Sequence, residues 1–237
     1  DQDGQGAFIA DTDATISTNT RDINISGATI TVGSIRTGLQ QSGPGGDIDL
    51  SAIGDISTGL LGTGEGNVGD IRVVSQQGDI TVDSFISTSS GPGDGGSIDV
   101  ESGGNIFLRE NIASLSRERG AGGPIALTGT GANSQIEILG NITFGSSDGI
   151  SSGALTINTL GDVILEGELI NLGGADIAIG NNVSPQTLLL SENISSNGNN
   201  VFLRATESLT TVDIDTSSNT IGGVIDISST LGDVNLG

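Results

Sequence analysis

Carboxylates are the side chains through which this chain could do most of its chemistry. Its 237 residues include 29 Asp and Glu and seven Arg, and they include no His, Cys or Lys. A serine–histidine triad therefore cannot be built, and neither can a zinc site with nitrogen or sulfur ligands. Disulfides and thiol chemistry are excluded for the same reason. What remains is the chemistry of carboxylates, amides, hydroxyls and guanidinium groups.

Acidic residues recur at matching places of a repeated phrase, which makes them candidates for binding a hard cation. With Asn in some repeats, one place is held by Asp55, Asp79, Asn105, Asn141, Asp162 and Asp233, and another by Asp22, Asp47, Asp70, Asp176 and Asn200. Turn formers of this kind usually bond the local backbone with their side chains, so we predict no metal or cofactor. The alternative is a calcium ladder through Asp47, Asp70, Asp55 and Asp79, because Ca²⁺ prefers clustered oxygen ligands.

Two pairs of carboxylates are candidates for glycoside chemistry, which uses two Asp or Glu residues. Asp47 lies two residues from Asp49, and Asp213 lies two residues from Asp215, so each pair shares one face of a strand. The alternating Ile and Leu residues should point inward, which places both pairs on a smooth outer surface. We therefore predict no catalytic residues.

A small basic cluster contains Arg109, Arg117 and Arg119, with two Glu residues among them. We predict a solvated loop whose charges pair with one another. A spot that binds a carboxylate or sulfate group is the alternative.

The elements that carry these residues follow from a repeat. The phrase is Gly, then Asp or Asn, then Ile or Val, and it occurs at positions 46–48, 54–56, 69–71, 78–80, 104–106, 140–142, 161–163 and 232–234. The apolar residues that open successive repeats are Ile23, Ile48, Ile71, Ile98, Ile125, Leu155, Ile177, Val201 and Ile225. They cover 202 residues in eight steps, about 25 residues per repeat, which is a solenoid period.

Within each repeat the apolar residues alternate with polar ones. Ile71 and Val73 are followed by Ile80 and Val82 in one repeat, with Phe85 or Ile86 as a weaker third segment. Such alternation is typical of strands with one buried face. Three strands per repeat predict an all-β protein, a parallel β-helix of about nine coils. The stretch 108–119 is the nearest to a helical pattern, and we predict a third strand and a loop there.

The domain organisation predicted is a single β-helix rod over residues 1–237, as a segment of a longer protein. The step from Ile125 to Leu155 is the longest and contains the extra apolar pair Ile136 and Ile138. We predict that residues 131–140 are an insertion that leaves the stack of coils.

The charge of the chain limits its partners. The net charge of −22 argues against binding nucleic acid, which requires a basic surface, and against adsorption to anionic lipid. The sequence has no apolar run of the ~18 residues that a membrane span needs, so we predict no membrane insertion.

The Gly-Asp-Ile and Gly-Asn-Ile phrases, the Ser/Thr/Gly-rich return at 87–91 and the run GGDIDLSAIGDISTG resemble filamentous haemagglutinin-type exoproteins. Many of these large proteins are cyanobacterial and leave the cell by two-partner secretion. The resemblance covers residues 22–237 and implies a right-handed β-helix, an extracellular or outer cell-surface location and a role in adhesion or aggregation. The Asn-Pro motifs of the family's secretion domain are absent, as expected of an internal piece of the rod.

Taken together, these features predict a non-enzymatic structural or adhesive rod. Its expected partners are a glycan or matrix component at the cell surface, and further coils that continue the rod or stack on it end to end. A polysaccharide-active β-helix enzyme and a calcium-stabilised surface-layer component are the alternatives.

Overall fold

The computed structural model describes residues 6–38, 45–64, 68–88, 93–116, 120–146, 152–218 and 222–237. Their regular structure consists of strands, and in these ranges no helix is long and apolar enough to cross a membrane. The first strands are β1 (Phe8–Ile9), β2 (Thr15–Ser17), β3 (Ile23–Gly27), β4 (Ile30–Val32), β5 (Ser34–Thr37), β6 (Ile48–Ala52), β7 (Ile56–Thr58), β8 (Leu61–Thr63) and β9 (Ile71–Ser75). They are followed by β10 (Ile80–Val82), β11 (Ile86–Ser87), β12 (Ile98–Ser102), β13 (Ile106–Leu108), β14 (Ile112–Ser116), β15 (Ile125–Gly129), β16 (Ile136–Ile138), β17 (Ile142–Ser146) and β18 (Leu155–Asn158). The remaining strands are β19 (Val163–Leu165), β20 (Leu169–Asn171), β21 (Ile177–Ile179), β22 (Thr187–Leu190), β23 (Ile194–Ser195), β24 (Val201–Ala205), β25 (Ser208–Thr211), β26 (Ile214–Asp215), β27 (Ile225–Ser229) and β28 (Val234–Leu236).

The strands form three parallel sheets, and every third strand along the chain belongs to the same sheet. Sheet A has ten strands (β1, β4, β7 and so on to β28), sheet B has nine (β2 to β26) and sheet C has nine (β3 to β27). One coil therefore contributes one strand to each sheet, which is a β-solenoid with a period of about 25 residues. Nine steps of about 4.8 Å make sheet A about 43 Å long.

The core is a set of stacked columns, as the alternation of apolar residues predicted. The nine residues that open the repeats pair one above another in sheet C in the predicted order, from Ile23 to Ile225. Of this column, the residues from Ile23 to Val201 are buried. The weaker third segment is also a strand: Ile86 is buried in sheet B, whereas Phe85 before it is 41% exposed. Residues 112–116 form β14, which confirms the third strand predicted within the stretch 108–119, whereas residues 117–119 lie outside the described residues.

The predicted insertion at 131–140 is wrong in its main feature. Ile136–Ile138 is the strand β16, which pairs in register with β13 below and β19 above, and both isoleucines are fully buried. The alternation of Ile136, Glu137 and Ile138 suits a sheet with one buried face, so the segment stays in the stack. The additional length lies in the corner 130–135, where six residues join β15 to β16, while three join β12 to β13 in the preceding coil.

Candidate functional site

The corners between sheets hold most of the residues singled out by the repeated phrase. Each phrase ends on the first residue of a strand, so its Gly and its Asp or Asn lie just before that strand. The Ile or Val of every phrase except the last is buried in the core, whereas Val234 is 41% exposed. The Gly of the phrase packs closely against a neighbouring coil, and the Asp or Asn forms a hydrogen bond with one.

At several corners before sheet C, a glycine lies where two coils approach each other closely. A Cβ added to Gly69 would lie 2.4 Å from the carbonyl carbon and oxygen of Gly46 in the preceding coil. At Gly96 a Cβ would lie 2.1 Å from the carbonyl oxygen of Gly69. These separations are far below van der Waals contact, so the close stacking of coils at this corner requires glycine.

The acidic residue accepts a hydrogen bond from the next coil. Before sheet C, Asp22 Oδ1 accepts from the backbone N–H of Asp47 (3.0 Å), Asp47 Oδ1 from that of Asp70 (2.8 Å), and Asp70 Oδ1 from that of Ser97 (2.6 Å). The backbone adds a bond in the other direction, because the N–H of Ile48 donates to the carbonyl oxygen of Asp70 at 2.8 Å. Asp176 and Asn200 repeat the side-chain bond further along the rod. We call this set the C ladder.

An equivalent A ladder precedes sheet A. Asp55 Oδ1 accepts from the backbone N–H of Asp79 at 2.9 Å, and Asp79 Oδ1 accepts from that of Asn105 at 2.7 Å. Asn105 Oδ1 in turn accepts from the N–H of Gln135 at 2.9 Å. Gln135, and not Asn141, therefore holds the equivalent place in that coil.

Asn141 belongs to a third ladder, before sheet B. Its N–H donates to Asn111 Oδ1 at 2.8 Å, and its own Oδ1 accepts from the N–H of Glu168 at 2.9 Å. The sequence assigned Asn141 to the series of Asp55 because Ile136 and Ile138 were taken as an insertion. The prediction that ladder side chains bond the local backbone is also wrong, because their partners lie 23 to 30 residues away in the next coil.

We expect the C ladder to contribute measurably to stability through these bonds. Asp70→Ala removes the acceptor for the N–H of Ser97 and should lower the free energy of unfolding by about 1 kcal/mol. Asp70→Asn keeps an acceptor oxygen and should remain close to the parent, since Asn already serves in this way at Asn200. Denaturant midpoints of the two variants provide the measurement. Equal losses in both would show that the carboxylate charge, and not the hydrogen bond, matters at this position.

The four carboxylates of the calcium alternative each use Oδ1 in a ladder bond. Asp47 and Asp70 lie in adjacent coils of the C ladder, and Asp55 and Asp79 lie in adjacent coils of the A ladder. Within the described ranges, no group of three or more acidic side chains is arranged to hold a metal ion. In the ladders each carboxylate thus accepts a hydrogen bond from the backbone N–H of the corresponding residue in the next coil.

The carboxylate pair Asp47 and Asp49 is divided between two structural roles. Asp47 belongs to the C ladder, whereas Asp49 lies on the outer face of sheet C, 3.6 Å from Arg72 Nη1. Arg72 Nε lies 3.8 Å from Asp99 Oδ2 in the following coil, so one arginine bridges carboxylates of two coils. These partly exposed pairs offset repulsion between stacked carboxylates.

The second pair, Asp213 and Asp215, lines a surface groove of about 440 Å³ on sheet B. Glu168, Ile170 and Ser195 line the same groove. Hydrogen bonds from the hydroxyl and the backbone N–H of Ser217 lower the pKa of Asp215 below its usual value, and the N–H lies 2.8 Å from Oδ1. Asp215 is therefore an ionised acceptor at neutral pH and is unsuited to act as a general acid.

The basic cluster can be placed only in part. Arg109 Nε lies 3.1 Å from Asp83 Oδ1 in the preceding coil, so this arginine pairs across coils on an exposed surface. Arg117 and Arg119 lie outside the described residues.

One set of structural residues was not singled out in the sequence. At the end of sheet B strands, the hydroxyls of Thr37, Thr63 and Thr88 are buried and donate to carbonyl oxygens of the corner glycines Gly46, Gly69 and Gly96 at 2.6 to 2.9 Å. These bonds connect the end of each sheet B strand to the glycine that lies two residues before the next sheet C strand. The available signal was a Thr two residues after the apolar residue of the third strand.

Comparison with known proteins identifies no relative of this chain. No family model, no curated protein and no solved structure matches the chain. The fold is a β-solenoid with three parallel sheets, and the role of its residues rests on the geometry given above.

Proposed function

We propose that this protein is a non-enzymatic rod segment of a secreted or cell-surface exoprotein, serving as a spacer or adhesive fibre. The observation that supports this most directly is the use of the recurrent acidic residues. They act as hydrogen-bond acceptors that join each coil to the next, and the corner glycines allow the coils to stack closely. The ladder carboxylates, which are the side chains best suited to chemistry in this chain, thus have a structural role in joining the coils of the rod.

The proposed location and export follow from the resemblance to filamentous haemagglutinin-type exoproteins. A solenoid with a net charge of −22 suits an extracellular fibre, because a high net charge favours solubility. Adhesion to a glycan or a matrix component is the corresponding role for the outer faces.

The proposal includes continuation of the rod at its carboxy-terminal coil. Leu236 and Ile225 are 63% and 44% exposed there, whereas the residues paired with them in the preceding coil, Thr211 and Val201, are buried. An apolar coil face of this kind is suited to packing against another coil, of the same chain or of a second copy. Repulsion between acidic rods should make stacking of separate copies stronger at high salt.

The groove at Asp213 and Asp215 keeps a polysaccharide-active enzyme as a second candidate, since two carboxylates line one cavity of about 440 Å³. Incubation with a panel of acidic and neutral glycans separates the two functions. We expect no new reducing ends and no unsaturated products from any glycan, whether or not that glycan binds to the protein. Product release that is lost in Asp213→Asn would contradict the rod proposal and establish the enzyme.

A further inference from the structure

The outer faces of the solenoid differ sharply in charge. On sheet C, the outward strand positions include six charged residues, namely Asp49, Arg72, Asp99, Glu101, Arg204 and Asp226. Sheet A presents a column of ten outward residues, one from the middle of each described strand, and only Glu137 among them is charged. We call this column the sheet A strip.

The sheet A strip begins with Ile9, has three of its four large apolar residues in its central part, and ends with the polar Thr210 and Asn235. Thr31, Ser57 and Thr81 follow one another in adjacent strands near the amino-terminal end. Phe107, Glu137, Ile164 and Leu189 then occupy four successive strands, and all four are partly exposed. Three large apolar side chains therefore lie in one row on the surface of a chain with a net charge of −22.

We propose that the sheet A strip is a lateral interface at which a second copy of this protein packs, face to face and antiparallel. The distribution of charge favours a second copy of the protein as the partner. Two copies with 22 net negative charges each can approach at a nearly uncharged face with the least repulsion, whereas a basic partner would find few acidic groups along the strip. Flat β-faces pack in this way about 10 Å apart with interdigitated side chains.

The order of residues in the strip favours antiparallel over parallel packing. In a parallel pair aligned about a two-fold axis, Glu137 of one copy would face Glu137 of the other, and like charges would meet. In an antiparallel pair centred between β16 and β19, Glu137 faces Ile164 and Phe107 faces Leu189. Phe107 and Leu189 then pack on each other at both ends of the contact, Ile164 packs on the aliphatic part of Glu137, and the two Glu carboxylates lie at different heights along the rod.

The interface should be weak for a single segment. In this arrangement the eight strands from β7 to β28 overlap, and a strip of about 34 Å by about 10 Å covers about 340 Å² per copy, less than half of the ~800 Å² of a standard interface. Acidic residues at the edges of sheet A, among them Asp79 and Glu166, oppose pairing and are screened by salt. We therefore expect a concentration-dependent dimer that strengthens with salt. This pairing does not depend on the cellular location or on the adhesive role.

Sedimentation velocity over a concentration series in high salt tests the interface. Ile164→Asp should weaken dimerisation about tenfold or more, because it places a second carboxylate opposite Glu137 of the other copy and removes an apolar side chain from the interface. Ala178→Asp adds the same charge on the outer face of sheet C and should leave dimerisation unchanged. Circular dichroism and melting curves establish that both variants are folded, and Leu189→Asp replaces Ile164→Asp if that variant unfolds.

Cysteine pairing tests the geometry in a chain that has no cysteine of its own. A mixture of Glu137→Cys and Ile164→Cys, with one of them mass-tagged, is treated with a bifunctional thiol cross-linker that spans the ~10 Å between packed faces, and the mixed dimer should form in excess over either homodimer. A strict monomer at all concentrations and salt levels would overturn the proposal. So would association that Ile164→Asp leaves intact, as end-to-end stacking requires, and predominant homodimers would exclude the antiparallel arrangement.

Discussion

Ile71→Asp is expected to unfold the centre of the rod. Ile71 is fully buried between Ile48 and Ile98 in the sheet C column, and no cationic side chain lies among the residues of that column. A carboxylate placed there either loses its hydration or takes up a proton, at a cost of several kcal/mol in either case. Because whole domains are stable by only about 5–15 kcal/mol, one such change should abolish cooperative folding of the neighbouring coils.

Val74→Asp is the matched control for this change. Val74 lies on the same strand but faces outward, so its carboxylate would remain hydrated. Far-ultraviolet circular dichroism with urea titration should show the parent transition in Val74→Asp and loss or a large downward shift of the midpoint in Ile71→Asp. Equal stability of the two variants would mean that the two faces of β9 have been assigned incorrectly.

Gly96→Ala should destabilise the protein by about 3 kcal/mol, at the upper end of what overpacking usually costs. Its Cβ would lie 2.1 Å from the carbonyl oxygen of Gly69, and this oxygen belongs to the backbone and cannot rotate away. Two coils would have to separate locally, which would also strain the bond between the hydroxyl of Thr88 and the carbonyl of Gly96.

Gly62→Ala provides the comparison for Gly96→Ala. Gly62 lies in the outward column of sheet B, where a Cβ would lie 3.3 Å from the end of the Leu60 side chain and 4.0 Å from the carbonyl oxygen of Ser87. We expect its melting temperature to stay near that of the parent. A Gly96→Ala variant as stable as Gly62→Ala would contradict the close approach of coils at the corner.

The sequence was sufficient to predict the coil and its core column. Alternation of apolar residues identifies strands, and the recurrence of Ile48, Ile71 and Ile98 at a near-constant interval establishes which strands stack. The same reasoning failed at Ile136, because Ser134 and Gln135 precede it in place of the phrase, while Gly140 and Asn141 repeat the phrase at the next corner. A phrase shared by three kinds of corner does not reveal by itself which corner it occupies.

The corner chemistry was harder to predict from the sequence. Asp and Asn beside Gly usually indicate turns closed by local hydrogen bonds. In this protein, Asp47 instead bonds a residue 23 positions away, because stacking brings the next coil within reach of its side chain. Sequence spacing fixes where such residues recur, whereas the direction of their bonds depends on how the coils are stacked.

The stacking of coils in this register is the central claim, and disulfide formation between outward residues of adjacent coils tests it most directly. Ser51 and Val74 are paired in sheet C, and paired residues of adjacent parallel strands are about 4.8 Å apart, within the Cα range of about 4.4–6.8 Å for disulfides. Ser51→Cys with Val74→Cys should therefore oxidise readily to an intramolecular disulfide. Ser51→Cys with Glu101→Cys spans two coils and should remain reduced under the same conditions. The reverse result, with the 51–101 pair bridged and the 51–74 pair free, would contradict the solenoid register described for this protein.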